Sequence, residues 1–450
     1  MSDISTKADG FASGYSRSVN SVVLLCFFVI VSEGYDAAIM GAIVPALMHY
    51  APWNLNAAEI GAMSSAALFG TLIGCYIVSV ISDFMGRKPL LLTCVGMFSI
   101  SMLISAMAPT PFLFTLARGI GGIGLGGVIS SSAALTVEFS APHRKNFNFA
   151  LMYSGYFVGA LLSALIALFF MQQYTWRLVV GVGALPLLYI PILWKYMPES
   201  PLYLVSRNRT AEARAIAASH GIVLEDLLAE SSSAGTKLTV NQLFREIFSS
   251  RNFFATVAFW VAQVAAVLNL YGIGTWLPQI MRQMGFNLGS SLAFLATFMI
   301  GSAVGGILIG RYADRLGPRK SVLLTYLIGA ACLVALSFKA SLFVTYCLIA
   351  VAGLGTGGVA MVQLGLISNY YAPNVRSSAI GWAVGIGRVG AMAGPLLGGF
   401  ILREGIDVKW NFYIFAAAAV CAGVVVALVP KQRGEEAGSL MDQPPLHTEA

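Results

Sequence analysis

The chain has 450 residues, of which 57% are apolar and only 10% charged, and its mean hydropathy is +0.78. A soluble domain carries about 25% charged residues, so this composition excludes an ordinary water-soluble enzyme. Apolar runs recur along nearly the whole chain, which also excludes a single anchor on a globular domain. The formal charge of +7 reads as Lys and Arg retained on the cytoplasmic side of a membrane. It does not read as a nucleic-acid surface, because no basic cluster is interleaved with aromatic residues.

A bilayer core of about 30 Å is crossed by roughly 20 apolar residues. Twelve runs meet that length, at about 22–48, 57–80, 89–108, 112–137, 146–171, 178–194, 252–280, 288–310, 321–338, 342–366, 377–402 and 411–429. The fold class expected is therefore an all-α membrane protein with twelve transmembrane helices. Residues 1–20 are polar and no small-residue cleavage site follows the first run, so they are expected to form a cytoplasmic tail and not a signal peptide. Cys26, Cys75, Cys94, Cys332, Cys347 and Cys421 all fall inside the runs without the spacing of a metal site, and read as small core residues. One long polar stretch, about 195–251, holds Ser231, Ser232 and Ser233 and a helical-looking patch at 211–218. It divides the chain into a tail (1–20), a six-helix half (21–196), a cytoplasmic linker (197–250), a second half (251–430) and a C-terminal tail (431–450).

With both termini inside, 20 of the 27 Lys and Arg residues lie on the cytoplasmic side. Arg177, Arg282, Lys339, Arg403 and Lys409 lie opposite, and Arg118 and Arg388 fall within spans. An internal repeat supports the two halves. Asp83, Gly86, Arg87 and Lys88 follow the second run, while Asp314, Gly317, Arg319 and Lys320 follow the eighth, their aspartates 231 positions apart. The same offset carries Gly122, Gly124 and Gly126 onto Gly353, Gly355 and Gly357, and Ala141-Pro142 onto Ala372-Pro373. A duplicated six-helix unit of this kind places its substrate cavity between the halves near mid-membrane.

These residues resemble the major facilitator superfamily across the whole membrane portion. Its loop signature, Gly-x-Leu-Ala-Asp-Arg-x-Gly-Arg-Lys, is nearly intact around Asp314, and Ser79 replaces its first glycine in the first copy. Arg118 followed by Gly122, Gly124 and Gly126 is similar to the fourth-span motif of proton-driven members, and Gly394-Pro395 with Gly398-Gly399 resembles a helix-packing element. Within the superfamily, Glu33-Gly34-Tyr35-Asp36 resembles the Asp-Gly-aromatic-Asp signature of the aromatic acid/proton symporters, with Glu33 in place of the usual aspartate. Two later segments are also similar to that family: Tyr371 to Trp382 with Arg376 and Gly381, and Gly385, Gly387, Arg388 and Gly390. The resemblance implies a major facilitator fold, a proton-coupling role for Arg118 and an aromatic substrate.

The residues themselves carry part of that chemistry. Glu33 and Asp36 fall near the middle of the first run, where a charge costs several kcal/mol and is rarely kept without a role or partner. They project from adjacent turns as i and i+3. Two like charges so close cannot both ionise easily, so the pair can take a proton on one side and release it on the other. Arg388, in a glycine-rich stretch, suits bidentate capture of a carboxylate; it can equally pair with Asp36 or Glu33. In the seventh run, Gln263, Asn269 and Tyr271 bring polar groups into an apolar helix, and Tyr35, Tyr271 and Trp276 are candidates to hold a ring, while Tyr271 and Trp276 can equally be interface anchors or core. Asp83 is expected to dock on the N-terminus of the eleventh helix and Asp314 on that of the fifth, closing an inner gate in the outward-facing state, with ion pairs from Arg87 and Arg319 that break when the halves rock. Glu138, His143, Arg144 and Lys145 read as an interfacial salt network, and no metal, nucleophile or cofactor site is visible.

The expectation is a secondary active transporter, not an enzyme: a proton-coupled symporter that imports an aromatic monocarboxylate of benzoate or hydroxybenzoate type, as a monomer without cofactors, in a bacterial inner membrane. The alternatives are a sugar/proton symporter, whose motifs Gly34-Tyr35-Asp36 and Pro198-Glu199-Ser200-Pro201 also resemble, and a transporter-like sensor without flux.

Overall fold

The computed structural model describes the backbone of residues 2–141, 144–171, 173–233, 240–338, 340–371 and 373–430. Side chains are described from residue 21 onward, except those at 79, 80, 83, 146, 230–233, 240, 241, 314, 316, 361, 373, 374 and 377. The described residues form helices and no strand. Twelve helices are long and apolar enough to cross a bilayer: Ser21–Leu47, Ala57–Val78, Arg87–Met107, Pro111–Glu138, Phe147–Phe170, Trp176–Tyr196, Phe253–Gln283, Leu288–Ala313, Pro318–Ala335, Leu342–Tyr370, Ser378–Arg403 and Lys409–Ala427. The protein is a multi-pass membrane protein, and these spans fall where the hydropathy places them.

Polar caps fix where several spans begin. Asn56 accepts the Glu59 backbone N–H at 3.0 Å while the Glu59 carboxylate accepts that of Asn56 at 2.8 Å, a reciprocal cap on span 2. Thr110 before Pro111, Asn287 and Ser341 do the same one-sidedly for spans 4, 8 and 10. Two spans depart from a regular helix. Span 6 is two pieces, Trp176–Val182 and Pro186–Tyr196, separated by a turn over 183–185, because Pro186 has no N–H to continue the ladder. Span 10 widens into a π-helical turn at Leu354–Gly358.

The polar stretch after span 6 is largely helical, with Pro201–Ser206, Thr210–Ser219, Leu224–Ser233 and Val240–Ile247. Leu204, Ala213, Ala217 and Leu224 give it a small core of its own. The C-terminal tail expected at 431–450 lies outside the described residues.

Between apolar helices in lipid, close contact depends on small residues that let backbones approach. A Cβ on Gly34 would lie 2.0 Å from the Tyr156 carbonyl oxygen, and one on Gly390 would lie 2.0 Å from that of Val264, so spans 1 and 5 and spans 7 and 11 touch backbone to backbone. The repeated glycines behave alike: Gly124 backs onto the Cys94 carbonyl and Gly355 onto Gly329. Spans from opposite parts of the chain also meet at the end of the bundle that carries the loop between spans 1 and 2. A Cβ on Gly41 would lie 1.9 Å from the Gly274 carbonyl oxygen and one on Gly61 2.7 Å from that of Pro395. The Ser65 hydroxyl donates to the Met392 carbonyl at 2.8 Å, and Arg282 donates to the Pro45 carbonyl at 3.3 Å. That end is shut.

Candidate substrate and proton site

Successive residues of a helix turn by about 100°, so residues three apart point about 60° away from each other. Glu33 and Asp36 accordingly share one side of span 1 yet face different partners. Asp36, 1% exposed, forms a buried ion pair with Arg118 of span 4, 2% exposed. Arg118 also donates to the Asp36 backbone carbonyl at 3.0 Å. Glu33 turns into a cavity instead; each of the two carboxylates keeps one oxygen without a hydrogen-bond partner, Glu33 Oε2 and Asp36 Oδ2.

The cavity lies between spans 1, 2, 4, 7 and 11, where Ser64, Thr71, Arg118, Tyr271, Thr275 and Arg388 complete the polar lining and Met40, Leu68 and Leu125 the apolar part. Its volume is about 20 Å³, room for about one water molecule, so an aromatic ring enters only when these side chains part. Arg388 shares the cavity with Glu33 and Tyr271 and makes no ion pair among the described residues. Of the two partners considered for Arg388, Asp36 is engaged elsewhere and Glu33 shares the cavity without closing a bridge.

The remaining candidates divide between the cavity and the packing around it. Tyr271 lines the cavity, and its hydroxyl meets that of Tyr156 at 2.8 Å, linking spans 7 and 5. Tyr35 points away: its hydroxyl donates to the Val179 carbonyl at 2.6 Å. Trp276 is fully buried, its indole N–H donating to the Pro395 carbonyl at 2.8 Å, and its ring fills the space left by Gly398. The structure thus uses Trp276 to pack span 7 on span 11, the core alternative to a ring contact. Gln263 accepts from Gln363 at 3.1 Å, and Gln363 accepts from Tyr326 at 2.7 Å, a buried chain joining spans 7, 10 and 9. Asn269 is buried with both amide atoms unpartnered, outside the cavity lining.

At the other end, the side chains of Asp83 and Asp314 lie outside the described residues. Gly86 adopts φ +92°, and a Cβ there would meet the Glu199 carboxylate at 2.5 Å; Gly317, at φ +86°, has open space around it. Glu199 accepts the backbone N–H groups of Arg87 at 2.8 Å and Lys88 at 3.1 Å, capping span 3. Ser200 donates to Glu138 at 2.5 Å. Glu138 is thus held by Ser200 of the 198–201 motif, while His143 lies outside the described residues. Arg319 donates to the Val429 and Pro430 carbonyls at 2.7 and 2.5 Å, tying the start of span 9 to the end of span 12.

The sequence did not single out Tyr156, Gln363 or Tyr326, and it named Glu199 only within the Pro198-Glu199-Ser200-Pro201 motif. Tyr153 and Tyr156, one turn apart in an apolar run, were a readable signal; Gln363 and Tyr326 were isolated polar groups in runs otherwise explained by hydropathy.

A family profile described as sugar (and other) transporter matches residues 22–436. The chain is 32% identical over 427 residues to a benzoate transport protein of Acinetobacter baylyi, covering 92% of this chain and 90% of that one. It is 30% identical to a gallate transporter of Pseudomonas putida, covering 90% of each. Among solved structures, the partially occluded inward open xylose transporter XylE of E. coli superposes with a TM-score of 0.76 at 19% identity, covering 93% of this chain and 99% of that one. That likeness speaks to the fold. Together with the twelve spans and the whole-length relatives, these matches establish that the chain belongs to the major facilitator superfamily of transporters, within its aromatic acid transporter family.

Proposed function

We propose that this protein imports an aromatic monocarboxylate of benzoate or hydroxybenzoate type together with protons, by alternating access. The observation that carries the reading is Arg388: a cation at the cavity, free of any ion pair among the described residues, sharing that cavity with the Glu33 carboxylate. Its planar guanidinium would hold the acid group with two parallel hydrogen bonds. The relatives named for benzoate and gallate supply the ring, and Tyr271, which lines the cavity with Arg388, would flank it. Gln263 and Asn269 would act from the second half, behind the cavity wall. A sugar/proton symporter would leave Arg388 without work, since a neutral ligand offers it no charge.

In this reading, 21–196 and 251–430 rock as two six-helix halves about the site. Residues 1–20, 197–250 and 431–450 lie on the cytoplasmic side of a bacterial inner membrane, and the monomer is the working unit. Asp83, Gly86 and Arg87, with Asp314, Gly317 and Arg319, form the cytoplasmic gate, and Glu199 and Ser200 tie the first gate loop to the linker. A ligand panel tests the substrate class. Benzoate, 4-hydroxybenzoate or gallate should raise the melting temperature of the purified protein, and benzamide or xylose should not. Stabilisation by xylose alone would replace this reading with the sugar symporter.

A further inference from the structure

Resting on the anion-symport reading above, we infer that Glu33, and not Asp36, carries the coupled proton, one per anion, so that transport moves no net charge. The argument is a count of charges in a membrane-buried space. Asp36 and Arg118 neutralise each other, and both are almost wholly out of solvent. Protonating Asp36 would leave Arg118 as an uncompensated buried charge, the costly way to break such a pair. Glu33 and Arg388 are the second pair of opposite charges, and they share the cavity without an ion pair. An arriving carboxylate brings a further negative charge to Arg388. The site returns to neutrality when Glu33 takes a proton from water on the outer side onto its unpartnered oxygen. On the inner side the anion leaves, the Glu33 O–H bond gives its proton to water, and the Glu33 carboxylate again balances Arg388.

The other titratable groups near Glu33 do not alter the count. Asp36 lies on its own helix, Arg118 on span 4 and Arg388 on span 11. The remaining neighbours, Tyr153, Tyr156, Tyr271, Cys75 and Cys94, are phenols and thiols; such groups ionise only above neutral pH in water. One unpaired cation and one exchangeable proton therefore give one monocarboxylate and one proton per cycle.

The test uses the full chain in proteoliposomes with labelled benzoate at pH 6.5 and above, corrected for leak through protein-free vesicles. Wild type should accumulate benzoate with an inward proton gradient, and a potassium–valinomycin potential at fixed pH should change nothing. Glu33→Gln, fixed in the neutral form, should lose gradient-driven accumulation at least tenfold and carry the bare anion downhill. Its interior level should then fall about tenfold for each ~60 mV of inside-negative potential. Glu33→Asp should restore coupling. The inference is overturned if Glu33→Gln still accumulates benzoate with the proton gradient, or if wild type responds to potential at fixed pH. It is also overturned if Asp36→Asn keeps downhill exchange and loses only accumulation. Wild type that moves no aromatic acid would sink the parent reading, and this one with it.

Discussion

Gly41 and Gly274 press spans 1 and 7 together at the shut end of the bundle, and the two positions are not equivalent. A methyl group on Gly41 would sit 1.9 Å from the Gly274 carbonyl oxygen, whereas one on Gly274 would meet the Met299 Cε at 3.5 Å, an ordinary contact. Carbon and carbonyl oxygen settle at about 3.3–3.6 Å, so Gly41→Ala must push the spans apart by roughly 1.5 Å. Overpacking of this kind costs about 1–3 kcal/mol. That cost falls on the state in which this end is closed, so the equilibrium should move toward the opposite-facing state by about 5- to 150-fold. Spin labels at positions 51 and 283, in a background with the exposed Cys347 and Cys421 replaced, would read the separation by pulsed electron resonance in nanodiscs. Gly41→Ala should populate a longer distance and Gly274→Ala should resemble wild type. Equal distributions in all three proteins, or an equal shift in both variants, would refute the steric reasoning.

Arg388→Lys keeps the charge and loses the forked geometry, so benzoate affinity should fall by about 1.5–3 kcal/mol, or roughly 10- to 150-fold; unchanged affinity by calorimetry would remove Arg388 from the site. Glu199→Gln keeps an acceptor on span 3 and loses its charge at the helix N-terminus, worth about 0.3–1 kcal/mol. Turnover should slow about two- to fivefold while binding holds. Asp83→Asn should likewise lower turnover more than binding, and a normal exchange rate would take it out of the gate. Trp276→Phe gives up the hydrogen bond to Pro395, about 1 kcal/mol. It should lower the melting temperature and leave the ranking of substrates untouched; a changed ranking would return Trp276 to the substrate site.

Hydropathy made the spans legible because a bilayer imposes one length on every apolar run, and the repeat at one fixed offset exposed the relation between the two copies of the loop motif. The break at 183–185 and the π-turn at Leu354–Gly358 were hidden for the same reason: span-length averaging does not register a local change in hydrogen-bond spacing. At the site, rarity was the informative signal. Glu33, Asp36, Arg118 and Arg388 stood out as charges in apolar runs, and all four lie at or against one cavity. Which carboxylate faces which arginine was not legible, since it depends on how spans 1, 4 and 11 are rotated about their axes. Aromatic residues were the weakest guide. Trp276 and Tyr35 bury an apolar body in packing and spend their polar tips on backbone carbonyls, and nothing in composition separates that use from ring stacking.

The most direct test of the account is uptake of radiolabelled 4-hydroxybenzoate into proteoliposomes under an imposed inward proton gradient, with labelled xylose and the Arg388→Ala variant in parallel. The aromatic acid should accumulate above the external level, that accumulation should collapse with a protonophore, and neither the variant nor xylose should show gradient-driven uptake. Accumulation of xylose without the aromatic acid, or full activity of Arg388→Ala, would contradict it.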